Sequence, residues 1–228
     1  MAKPPTRRAS TRDIEKFLQK SKTIAAFVDR QPRLLFAIDA TASRQPTWDS
    51  ASHLQQEMFS ATAGIGALVV QLCYFRGFHE FFASQWLNDS QQLARIMGKV
   101  YCEGGRTQIA RLLQHAQAEH SKVPIKALVF IGDAMEENPD TLCKLAGQCG
   151  LRQLPLFLFQ EGGDATVRET FRSMAKVSRG AYARFDSSSA GTLAALLGAV
   201  AAYAAGGRAA LENNRSESAK LLLQQLNN

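Results

Sequence analysis

Asp39, Thr41 and Ser43 stand two residues apart in the stretch "LLFAIDATASRQ", directly after an apolar run. An acid and two hydroxyls at i, i+2 and i+4 give oxygen ligands that a tightly turning loop can aim at one point. Two further polar clusters have the same character. One is Gly104-Gly105-Arg106-Thr107, whose glycines allow close backbone approach. The other is Gly132-Asp133, which ends the apolar run "KALVFIGD". Together they offer two carboxylates and three hydroxyls, all hard donors. Such a set suits a hard divalent cation: Mg²⁺ takes six oxygens at about 2.1 Å and keeps some of its waters. Softer metals call for His or Cys, which these clusters lack. Taken singly, Asp39, Thr107 and Asp133 read equally well as helix caps. The conjunction is what points to a site.

The flanking sequence supplies elements that bring the three clusters together. "RLLFAID" is a continuous apolar run of the buried-strand type, followed by a helical pattern over 48–65 with Leu54, Met58, Ala61 and Ile65 on one face. "ALVVQLCYF" (67–75) is a second strand, and "FHEFFA" (78–83) follows after only Arg76-Gly77, as a hairpin partner does. Helical periods cover 89–98 and 107–120. Strand "KALVFIGD" (126–133), a Pro139-opened helix, strand 154–160, a helix over 164–178, strand 181–186 and a helix over 190–205 complete the order. This alternation predicts an α/β fold: a three-layer, doubly wound, mostly parallel six-stranded sheet with one antiparallel edge strand. Right-handed crossovers then gather the loops after the strands at one end, where ligands bind in such folds.

D-x-T-x-S after strand one, a threonine after glycines and an aspartate ending a later buried strand resemble the von Willebrand factor type A domain. The resemblance spans roughly residues 33–205. It implies a metal-ion-dependent adhesion site, with Asp39, Thr41 and Ser43 matching the first motif, Thr107 the second and Asp133 the third. Gln108 takes the place of the acid that often follows the threonine, and Arg106 precedes it. The implied function is Mg²⁺- or Mn²⁺-dependent protein binding without chemistry, a partner's Asp or Glu completing the metal shell. Intracellular members commonly serve ATPase or chaperone machines, so a partner of that kind is expected.

Composition bounds the alternatives. The 228 residues are 46% hydrophobic and 21% charged, suited to one domain with appended segments. The expected organisation is a basic arm and helix over 1–32, the domain over 33–207 and an amphipathic tail over 208–228. No unbroken run of 18 or more apolar residues occurs, and the N-terminus lacks a secretory apolar stretch. A cytoplasmic address is therefore expected. Cys73, Cys102, Cys143 and Cys149 lack CxxC spacing and read as reduced, mostly buried thiols.

Two rival functions are weaker. A metal-dependent phosphoryl-transfer hydrolase can place its nucleophile at Asp39, but the general acid expected two residues on is Thr41. The arm could bind nucleic acid nonspecifically, since residues 1–33 hold nine Lys or Arg against three acids while the rest hold eighteen against seventeen. It is poor in aromatics, and Phe17 lies on the apolar helix face, so stacking-based recognition is disfavoured.

Overall fold

The computed structural model describes residues 31–44, 68–186 and 190–226. The N-terminal arm, the helix expected over 48–65 and the three residues 187–189 lie outside that set. The described residues from Pro32 onward belong to one compact unit, and the fold below is that unit's.

Its elements run β1 (Arg33–Asp39), β2 (Val69–Arg76), β3 (Glu80–Ala83), α1 (Ser90–Met97), α2 (Ile109–Lys122), β4 (Ile125–Gly132) and α3 (Pro139–Leu151). They continue with β5 (Leu156–Glu161), α4 (Ala165–Val177), β6 (Ala181–Phe185), α5 (Ala190–Asn213) and α6 (Glu217–Leu226). The strands make one six-stranded sheet in the order β3-β2-β1-β4-β5-β6, parallel except for β3.

The apolar run of β1 reflects burial on both faces. Leu34, Phe36 and Ile38 point into one core with Leu193, Leu196 and Val200 of α5. Leu35 and Ala37 point into the other, with Leu112 of α2, Leu142 of α3 and Phe171 of α4. Each large side chain buried this way contributes roughly 1.5–3 kcal/mol. Helix starts are set by local side chains: Asp89 Oδ1 accepts from Gln91 N, Asn138 Oδ1 from Asp140 N, and Asp164 Oδ1 from Val167 N.

Three details differ from the sequence pattern. The β2–β3 turn takes Gly77, Phe78 and His79, so β3 begins only at Glu80. Gly77 turns the chain with a left-handed φ of 56°. The last core helix does not stop at Gly206-Gly207. Gly207 breaks it with φ 66° and ψ −158°, and the helix resumes to Asn213. The tail then docks as α6, burying Ala219 and Leu222 with Leu211 of α5 in the first core. By composition α5 is long and apolar enough to cross a membrane. Its leucines pack on the sheet, as in a core helix.

This topology places the predicted cluster. The chain leaves β1 toward β2 on one side and later returns to β4 on the other, so β1 and β4 bracket the switch in strand order where a crevice opens. Ile38 pairs with Ile131, which sets the ends of both strands level.

Candidate metal site

Asp39 ends β1 fully buried. Its Oδ1 accepts from Thr41 N at 2.8 Å, curling the chain into a single 3₁₀ turn over Ala42–Arg44. The turn brings Thr41 Oγ1 within 3.1 Å of Ser43 Oγ. Asp133 follows Gly132, where an added Cβ would sit 3.5 Å from Asp39 Cβ and only 2.8 Å from the Phe130 ring. Glycine there lets the two strand ends close up.

The two carboxylates feel each other. Asp39 has its pKa pushed up to about 7, first by burial and last by the charge of Asp133, against lowering by the Thr41 hydrogen bonds and Arg44. Among the described residues, Asp39 Oδ2 and Asp133 Oδ1 are buried without a hydrogen-bond partner. Buried polar atoms are nearly always paired, so two orphaned carboxylate oxygens at neighbouring strand ends stand out.

The glycine loop is pinned beside the first. Glu103 N donates to Ala40 O at 3.0 Å, and Thr41 and Glu103 form an isolated parallel bridge. Arg106 N donates to Gly77 O, and a Cβ on Gly105 would lie 1.8 Å from that same carbonyl oxygen. Arg106 itself is exposed.

Thr107 is buried at the start of α2 but does not cap it; Gln108 is the N-cap and makes no side-chain capping bond. The caps come instead from the loop after β4. Glu136 Oε2 accepts from Thr107 N at 2.8 Å, and Glu137 Oε1 accepts from Ala110 N at 2.9 Å. Thr107 Oγ1 also lies 2.7 Å from a carboxylate oxygen of each glutamate. One hydroxyl hydrogen serves only one of them.

Thr41 thus touches both Asp39 and Ser43, and Asp133 lies within charge range of Asp39. The Thr107 hydroxyl is held by Glu136 and Glu137, two residues the sequence reading passed over. Their signal was the acidic pair directly after an apolar strand and its Gly-Asp end. Among the described residues, no group of three or more His, Cys, Asp and Glu is arranged to hold a metal. The candidate site is therefore a two-carboxylate set, Asp39 and Asp133, with the hydroxyls of Thr41 and Ser43 on the turn after Asp39. Its hard donors and orphaned oxygens fit Mg²⁺ or Mn²⁺.

A second omission lies underneath. Arg44, next to Ser43, is buried and pairs with Glu161 at the end of β5, Nη2 to Oε2 at 2.8 Å. Its Nη1 donates to the Asp39 carbonyl at 3.2 Å. This pair braces the turn from below. Glu161 carried the same signal as Asp39, an acid closing an apolar strand.

No protein-family model matches the chain, and no curated protein does. Solved structures do match. A von Willebrand factor type A protein from Catenulispora acidiphila is 17% identical with TM-score 0.64, over 77% of this chain and 43% of that one. The SpRpn10 VWA domain is 12% identical with TM-score 0.57, over 72% and 95%. The vWF domain of the type V pili tip protein Mfa5 from Porphyromonas gingivalis is 10% identical with TM-score 0.58, over 74% and 93%. The chain thus spans less than half of the Catenulispora protein and nearly all of the two isolated domains. With its strand order and its single antiparallel edge, this chain has the fold of the von Willebrand factor type A domain.

Proposed function

We propose that the domain is a protein-interaction module whose strand-end site holds Mg²⁺ or Mn²⁺ and offers it to an acidic side chain of a partner. The observation that carries this reading is the pair of buried, unpartnered oxygens, Asp39 Oδ2 and Asp133 Oδ1. Asp39 and Asp133 supply the charge, while Thr41, Ser43 and Thr107 supply neutral oxygens. When bound, the ion supplies an electrophilic position that a carboxylate can fill. Asp39 and Asp133 just balance a divalent ion, so a partner's carboxylate meets no net negative charge from these two ligands.

The residues of this chain do the positioning. The Thr41 amide holds Asp39 Oδ1, leaving Oδ2 for the ion. The Arg44–Glu161 pair fixes the turn that carries Thr41 and Ser43. Glu136 and Glu137 hold Thr107 at the start of α2.

Two similar folds come from a pilus adhesin of Lactobacillus rhamnosus GG and a pili tip protein, which supports adhesion rather than catalysis by fold analogy alone. An acidic face of a cytoplasmic ATPase or chaperone component is the partner this reading favours. Hydrolysis is disfavoured because Thr41 stands where a phosphatase of this layout needs an acid.

The test is capture from cell extract on immobilised protein, with Mg²⁺ or EDTA, alongside p-nitrophenyl phosphate turnover. Partners retained with Mg²⁺ and lost with EDTA and with Asp39→Ala support the reading. Phosphate-ester turnover that Asp39→Asn stops would replace it with the enzyme reading.

A further inference from the structure

Far from the metal site in sequence, the outer sheet edge carries a basic groove of about 980 Å³. Among the described residues it is lined by five cations, Arg168, Arg172 and Lys176 of α4 with Arg179 and Arg184, and by no acid. The first three repeat every four residues and so share one helix face. The floor is β6, the last strand in the sheet order, paired among the described residues only with β5. The far wall is α6, which contributes Leu221, 43% exposed, and Gln225.

Gln225 shows what this edge is built to accept. Its side-chain Oε1 accepts from Tyr182 N at 2.8 Å, and its Nε2 donates to Tyr182 O at 2.8 Å. That is the two-bond pattern a neighbouring strand would make, supplied by one side-chain amide. Arg184, two residues on, turns its backbone groups to the same side by the strand's period of two. Its side-chain Nε donates to Gly162 O, in the loop after β5.

We infer that this groove binds an extended acidic peptide, which adds as a strand to β6 and sets its carboxylates against the five cations. Edge-strand addition draws its affinity from main-chain hydrogen bonds and its selectivity from alternate side chains. The cation array selects acids, and Leu221 offers an apolar contact at the rim.

Charge rules out a second copy of this chain pairing through the same edge, since two such arrays would face each other. A nucleic acid finds the phosphate-binding charge but no stacking platform. The one aromatic among the described residues that line the groove, Tyr182, is 5% exposed, with Arg172 over its ring and its hydroxyl 2.7 Å from Gln160 Oε1.

The experiment is fluorescence anisotropy with a labelled peptide of alternating Glu and Val, about eight residues long, enough to cover an ordinary strand. Binding should weaken at least about tenfold in Arg172→Glu/Lys176→Glu, whose exposed positions leave the fold intact by circular dichroism. A peptide N-methylated at alternate amides keeps its charge but loses donors, and should also bind at least about tenfold more weakly. Gln225→Ala should strengthen binding by freeing Tyr182. EDTA and Asp39→Ala should change nothing, which separates this groove from the metal reading. Equal binding of the N-methylated peptide would reduce the groove to a charge patch and overturn strand addition. Tighter binding of single-stranded oligo(dT) at the same salt would assign the groove to nucleic acid. Absence of peptide binding would refute the inference outright.

Discussion

Replacing Asp39 by asparagine isolates the electrostatic cost of burying its carboxyl. The carboxyl goes from an ordinary value of 3.8 to about 7 on folding, with burial the largest cause. The sign follows from proton counting. Between about pH 4 and pH 7 the native state keeps a proton that the unfolded chain has lost, so stability falls as pH rises through that window and is flat above it. Three units at about 1.4 kcal/mol each put the cost of ionising Asp39 at about 4 kcal/mol, a ceiling because water entering the crevice lowers it. Asparagine keeps an oxygen for the Thr41 amide and adds N–H donors where the site has orphaned acceptors. In EDTA at pH 8, Asp39→Asn should therefore be more stable by about 2–4 kcal/mol, or roughly 10 °C in Tm. Near pH 4 the two proteins should coincide. Urea unfolding at both pH values reads the difference directly. A variant less stable than wild type at pH 8, or a difference that does not change with pH, refutes the reasoning.

Arg44→Met should cost about 3–5 kcal/mol in urea unfolding, because it leaves Glu161 buried without its cation, and adding Glu161→Gln should recover part of the loss. Gly105→Ala should destabilise by at least about 1 kcal/mol, since its Cβ meets the Gly77 carbonyl, whereas Gly104→Ala, with nothing within 4 Å, should stay within about 0.5 kcal/mol. All four cysteines are free, with Cys73 and Cys149 buried, and burial pushes both of those thiols up. Native protein should accordingly show aromatic-disulfide labelling of Cys102 and Cys143 only, the other two reacting after denaturation.

The fold was legible because the sheet is buried on both faces. β1 and β4 appear in sequence as unbroken apolar runs, and the helices between them keep a 3.6-residue period. What escaped was set by single glycines and by contacts distant in sequence. Gly77 lengthens a hairpin turn that its neighbours make look shorter, and Gly207 interrupts α5 without ending it. In the site, Asp39, Thr41 and Ser43 were legible because one turn aligns them. The grip of Glu136 and Glu137 on Thr107, across 29 and 30 residues, has no local pattern. Nor does the 117-residue span between Arg44 and Glu161, whose meeting depends on β5 lying beside β4. The basic face of α4 was readable as a four-residue repeat of cations, but its meaning depends on α6 docking along the same edge.

Mn²⁺ titration of the isolated protein by calorimetry at pH 8 tests the central claim most directly. The account predicts weak, saturable binding at one site, lost when Asp39 and Asp133 are both replaced by alanine while the fold is retained. Mn²⁺ binding that survives unchanged in that double variant would contradict it.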